Sequence, residues 1–235
     1  MIKIEDIEVM GMRKAIKGMR NAMNSWDKSD SGYMVDEKLD GVQFSYFKIG
    51  EKDMKLCKNL IKAGSPDRKF MRMIHVQADV TAPLYWWKEF DTYKVGTVAN
   101  SCSTMHTLHK RDLTLDDFSH ENLISDSVDI LKDLINTLND CRDSYINYDK
   151  DINLITKEIT SKKHIWWQMI QLLPSSFNQM RTIDLNYENL LSIYRQRKGH
   201  KLDEWREFCK WIETLPYMKE FLGLDEQTET KEQKE

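Results

Sequence analysis

Residues 70–83, FMRMIHVQADVTAP, constrain the fold of this chain more than any other stretch. Met71, Met73, His75 and Gln77 alternate with Arg72, Ile74, Val76 and Ala78, a period of two that an extended strand converts into two distinct faces. Pro83 closes the run, because proline cannot donate to a strand ladder. Beyond Pro83 most of the chain is spaced as helix instead. The segment 121–142 carries Leu123, Val128, Leu131, Ile135 and Leu138 on one side, with Ser119 as its expected cap. A period-two strand succeeded by amphipathic helices predicts an α+β fold, mostly helical with a small mixed sheet.

The remaining segments fill in that outline. Residues 2–9, IKIEDIEV, alternate apolar and charged side chains and read as a half-buried strand. Met12, Ile16, Met19 and Met23 recur at helical spacing, and the polar 27–41 stretch reads as a loop. A helix is expected to start at Asp53, carry Leu56, Leu60 and Ile61, and stop at Gly64. LYWWKEFDTYK suits a helix packed on the strand, and the apolar block KHIWWQMIQLLP ends at Pro174. From Thr182 a helix is expected with Ile183, Tyr187, Leu190, Leu191 and Tyr194 on its apolar face and Gly199 at its end. A last helix is anchored by Trp205, Phe208, Trp211 and Ile212. The whole of 1–224 reads as one domain, and residues 225–235, which contain no apolar side chain, as a solvated, disordered tail.

A formal net charge of −3 speaks against a broad nucleic-acid footprint. No apolar run reaches the ~20 residues of a membrane span, and the acidic start is unlike a signal peptide. Cys57, Cys102, Cys141 and Cys209 are scattered without a CxxC pair, which suits reduced thiols in the cytoplasm.

Chemistry concentrates in two places. Residues 92–106, TYKVGTVANSCSTMH, offer one lysine, a glycine, an amide and several hydroxyls of the sort that hold anions, or else form an ordinary polar turn. Asn186 and Arg197 lie eleven residues apart, close to three helical turns, so that on one helix they would share a face. Arg197 could grip a phosphate or simply complement the helix dipole. Cys102 reads as an idle thiol, and His106, His109 and His120 lack an acidic partner at metal-ligand spacing. The pairs Trp86–Trp87 and Trp166–Trp167 read as core rather than as stacking platforms.

Taken in order, two blocks resemble the flavin-dependent (alternative) thymidylate synthases. The first is DMKLCKNLIKAGSPDRKFMRMIHVQADVTAPLYWWKEFDTYKVGTVANSCS, similar to the family's helix, Ser-Pro turn, strand, aromatic helix and arginine-rich signature. The second is MIQLLPSSFNQMRTIDLNYENLLSIYRQRKGHKLDEW, where Pro174, Asn186, Leu190, Arg197, His200 and Trp205 fall at or near matching positions. The departures are specific. Thr92-Tyr93-Lys94 stands for Arg-His-Arg, Thr97 for a serine, and Met71-Arg72 for the Glu-His of the early turn. Asn100 and Ser103 keep the Asn-x-x-Ser spacing once one extra residue is allowed before Asn100, but the closing arginine is missing. Ile170 or Gln171 replaces an arginine before Leu-Pro, and Glu188 occupies a helix position where the family commonly has arginine.

The resemblance implies a homotetramer that binds FAD and dUMP, or a related pyrimidine nucleotide, and methylates it reductively. Methylenetetrahydrofolate would supply the carbon and NADPH the reducing equivalents. It places Lys94, Thr97, Asn100, Ser103 and Arg197 against the nucleotide, and Tyr93, Asn186, Ser192 and His200 near the flavin. No catalytic side chain follows from it, and the lost arginines leave open a non-catalytic nucleotide-binding or structural protein on the same fold. The Lys- and Asn-rich composition is compatible with a bacterial or phage setting.

Overall fold

A computed structural model describes residues 2–37, 43–148 and 161–225. The expected tail, beyond Asp225, and residues 149–160 lie outside the described residues. The strands are β1 (Lys3–Met10), β2 (Gly32–Glu37), β3 (Gln43–Lys48), β4 (His75–Pro83), β5 (Thr97–Ser101) and β6 (Asn178–Asn186). The helices are α1 (Met12–Gly18), α2 (Glu51–Ala63), α3 (Leu84–Phe90), α4 (Thr104–Thr107), α5 (Ser125–Ile146), α6 (Lys162–Leu172), α7 (Tyr187–Arg197), α8 (Asp203–Thr214) and α9 (Met218–Leu222). One sheet has the order β1-β4-β6-β5, and β2 and β3 pair as an antiparallel hairpin in which Tyr33 faces Phe47. The α+β class follows directly.

The chain divides into two compact units, and every strand of the four-stranded sheet contributes residues to both. The first unit comprises Met1–Ile4, Asp79–Thr92 and Ala99–Thr182. Its core joins Leu131, Ile135, Leu138 and Cys141 of α5 to Ile165 and Met169 of α6, with Leu108, Leu113 and Phe118 beneath. Trp86, Trp87 and Phe90 on α3 are buried; the Trp86 and Phe90 rings stack at 5.1 Å and Trp87 Nε1 donates to Gln179 O at 2.9 Å.

The second unit comprises Glu5–Ala78, Tyr93–Val98 and Ile183–Glu235. Ile74, Val76, Leu190, Leu191, Ile193, Trp205, Phe208 and Ile212 form its interior. Tyr187 enters that interior as α7 begins, its N–H donating to Ile74 O at 2.9 Å and its hydroxyl to Pro216 O at 2.9 Å.

Several expectations are corrected. The first helix ends at Gly18 rather than continuing to Met23, which is largely exposed, because Arg20 turns inward to Asp53 at 2.5 Å. Asp53 therefore anchors an ion pair and caps nothing; α2 starts after Gly50. The stretch read as a loop at 27–41 contains β2. β1 forms as a strand but is mostly exposed. In β4 the buried set is Val76, Ala78, Val80 and Ala82, while 68–73 form a tight 3₁₀ segment.

Ser119 does not cap α5, which begins at Ser125; its hydroxyl donates to Asn178 Oδ1 at 2.9 Å. Thr182 and Ile183 belong to β6, and α7 starts only after Asn186. Trp167 is exposed, so the second tryptophan pair is only partly core.

Candidate functional site

Within the second unit, residues 93–98 form a turn packed on both ends of α7. Asn186 is the N-cap of that helix: its Oδ1 accepts from Asn189 N at 3.0 Å while Asn189 Oδ1 accepts from Asn186 N at 3.2 Å. This reciprocal box satisfies helix donors that would otherwise be orphaned. Asn189 then uses its remaining donor, Nδ2, on Val95 O at 2.8 Å. Gly96 follows at φ +71°, and a Cβ there would lie 2.9 Å from Asn186 Nδ2. Glycine is needed on both counts, conformation and close approach.

At the other end of α7, Tyr93 Oη donates to Gln196 Oε1 at 3.0 Å and accepts from Arg197 Nε at 2.9 Å. The Arg197 guanidinium lies over the rings of Trp205 and Tyr93, at 4.8 and 5.7 Å from their centroids. Such stacking holds the planar fork in one orientation. Thr97 Oγ1 donates back to Tyr93 O, closing the turn. Lys94 projects from it, exposed, without a hydrogen bond or ion pair among the described residues.

Ser192 Oγ accepts from Gln196 Nε2 at 3.2 Å, and His200 Nδ1 accepts from Leu202 N at 3.2 Å. The His200 ring meets Trp205 edge-on at 6.4 Å. Tyr93, Lys94, Thr97, Asn186, Ser192, Arg197 and His200 therefore all belong to the second unit. Asn100 and Ser103 fall in the first: Asn100 is exposed on β5, and Ser103 precedes α4 with its carbonyl accepting from Thr107 Oγ1 at 2.7 Å. Asn186 and Arg197, at opposite ends of α7, both pack on this turn, Asn186 against Gly96 and Arg197 on Tyr93.

A second cluster lies at the start of α7. Glu188 accepts from Ser65 Oγ at 2.6 Å, from Arg68 Nε at 3.1 Å and from Arg72 Nε. Arg72 Nη2 donates in addition to Ser65 Oγ at 2.7 Å. Burial works to raise the Glu188 carboxyl, but the bonds from Arg72, Ser65 and Arg68 outweigh it and hold the group below its ordinary value. Arg72 and Glu188 are thus partners in one ion-pair cluster. Sequence reasoning missed Asn189, Ser65 and Arg68. The only available signal for Asn189 was the Asn-x-x-Asn spacing of a capping box.

All four cysteines are free thiols, and burial raises Cys57 and Cys209 to about 12, so neither is a ready nucleophile. Cys102 is exposed, with its backbone tied to Met180 O at 3.0 Å and to Gln179 Nε2 at 2.8 Å. Among the described residues no cluster of three or more His, Cys, Asp or Glu side chains could hold a metal ion, and no helix is long and apolar enough to cross a membrane.

No protein-family model and no curated protein matches the sequence. Solved structures do match. Thymidylate synthase X from Helicobacter pylori, with FAD and dUMP, aligns at a TM-score of 0.62 and 13% identity, over 94% of this chain and 97% of that one. A second structure of the flavin-dependent thymidylate synthase from Helicobacter pylori, complexed with FAD and dUMP, aligns at 0.60 and 13%, over 93% and 97%. At this identity the likeness concerns the fold: the chain has the architecture of the flavin-dependent thymidylate synthases over nearly its whole length.

Proposed function

We propose that this chain is a diverged, flavin-dependent thymidylate synthase-like protein that binds a pyrimidine nucleotide, dUMP or a close relative, and methylates it reductively with FAD, NADPH and methylenetetrahydrofolate. The observation that carries this reading is the turn at Tyr93–Val98, held on α7 by Asn189, Tyr93 and Arg197 with Lys94 left unpaired among the described residues. An unpaired cation on a rigid turn suits a monophosphate. Lys94, Thr97, Asn100, Ser103 and Arg197 are assigned to the nucleotide, and Tyr93, Asn186, Ser192 and His200 to the flavin. The flavin would supply the hydride that reduces the transferred carbon. The residues of this chain bind and orient; none is assigned a proton-transfer role.

The fit is better for the nucleotide than for the flavin. Asn186 and Ser192 already bond within α7, and Glu188 puts a carboxylate where the family commonly has an arginine. That observation favours a second reading, a nucleotide-binding protein without flavin chemistry. The proposal includes a single functional domain over 1–224, a homotetramer and a cytoplasmic location, the last supported by four free thiols.

The test is the visible spectrum of the purified protein after incubation with FAD and gel filtration, together with tritium release from 5-labelled dUMP. Retained flavin and tritium release are the expected result. A colourless protein whose Tm rises with dUMP would replace the first reading by the second. A colourless protein indifferent to dUMP would overturn both.

A further inference from the structure

We infer that the cleft between α1 and the β2–β3 hairpin is a second binding site, for a small planar aromatic molecule carrying one anionic group. The cleft lies wholly within the second unit and has a volume of about 220 Å³. Its charged wall is made by Arg13 and Lys17, one turn apart on α1, and by Arg20, just beyond the end of that helix at Gly18. Its other wall is aromatic, made by Trp26, Tyr33 and Phe47. Among the described residues no acidic side chain lines it.

Arg20 is the decisive residue. It is only 6% exposed, yet it faces the cleft. Its Nε donates to Asp53 at 2.5 Å and its Nη1 to Ser25 O at 3.4 Å, while Nη2 makes no hydrogen bond among the described residues. Asp53 is shared among three donors, because its second oxygen accepts from Ser29 and Ser31 at 2.6 and 2.5 Å. A buried guanidinium with a donor to spare, aimed into a cavity, is poised for an anion. Arg13 and Lys17 stand at the rim without acidic partners among the described residues, so the cleft keeps an excess of about two positive charges after Asp53 is subtracted.

The aromatic wall defines the rest of the ligand. Tyr33 and Phe47 are cross-strand partners whose rings meet edge-on at 5.7 Å. Trp26 is 46% and Tyr33 63% exposed, large apolar areas left to solvent around a cationic floor. The indole N–H of Trp26 is already satisfied by Asn21 Oδ1 at 2.8 Å, which leaves the ring face to stack. The volume lies below the roughly 300–1,000 Å³ typical of drug-sized sites, which selects a single ring with one phosphate or carboxylate over a dinucleotide. This site shares no residue with the Tyr93–Val98 turn, so it stands whether or not the flavin reading survives.

The experiment is calorimetric titration of the full chain with phenyl phosphate, benzoate and inorganic phosphate, repeated on Arg13→Gln/Lys17→Gln and on Trp26→Leu. These are surface substitutions, so folding is checked by an unchanged far-UV spectrum. Phenyl phosphate or benzoate should bind, at least about tenfold more tightly than inorganic phosphate, and the double variant should lose about tenfold or more. Trp26→Leu should weaken the aromatic anions while leaving inorganic phosphate unchanged. Absence of binding by both aromatic anions, or equal affinity in the double variant, would overturn the assignment.

Discussion

Glu188 shows how a single carboxylate can reorganise a site. Ser65, Arg68 and Arg72 all donate to it, and its side chain is only 12% exposed. Glu188→Gln keeps the volume but leaves two guanidiniums without their counter-charge, and should cost about 1–3 kcal/mol in urea unfolding. The pH dependence provides the control. The folded carboxyl lies below its ordinary 4.5, so its contribution is present above that value and is lost as pH falls through the lower, folded one. The wild type should therefore lose more stability than Glu188→Gln as the pH falls below about 4.5, after the shared contributions of Asp117 and Asp184, lowered in the same direction, cancel. Equal acid sensitivity in the two proteins would mean that the pair contributes nothing. In the sequence, Arg72 and Glu188 are visible only as two separate oddities. Their pairing spans 116 residues, and no local pattern reports a contact of that range.

At the level of elements, what the sequence reveals depends on whether a segment has one buried face. α5 and α8 are legible because Leu131, Ile135 and Leu138, and Trp205, Phe208 and Ile212, repeat at helical spacing and are buried. β4 is legible because its period of two separates buried from accessible residues. The β2–β3 hairpin is not, because Tyr33, Met34 and Val35 are all exposed and no alternation marks an inner face. The start of α7 misleads for a different reason. Ile183 and Tyr187 satisfy both a strand period and a helix period, and only the Asn186–Asn189 box decides between them. Asn186→Ala should therefore cost about 1 kcal/mol. It should also raise amide exchange at Asn189 and Val95's neighbours in the turn, because the box and the turn share Asn189. Unchanged exchange in the turn would separate the cap from the site. The candidate site was half legible in the same way: Tyr93, Lys94 and Arg197 stand out as chemistry, whereas Asn189 is silent without the fold.

For the whole molecule, the two compact units raise the question of independent unfolding. Each of the four sheet strands runs covalently from one unit into the other, the changes falling after Ile4, Ala78, Val98 and Thr182. Melting either unit alone would have to end all four strands midway, inside regular elements rather than in a linker. The expected behaviour is one cooperative transition, with tryptophan fluorescence and far-UV circular dichroism tracing the same curve. Leu138, 1% exposed in the α5–α6 core of the first unit, supplies the stringent test. Leu138→Ala should cost about 2–5 kcal/mol. If the units are coupled, the change must lower the midpoint reported by amides of α8, in the second unit, as much as that reported by α6, in the first. A midpoint for α8 that stays at the wild-type value while α6 melts early would establish two independent folding units and remove the basis for reading residues 1–224 as one domain.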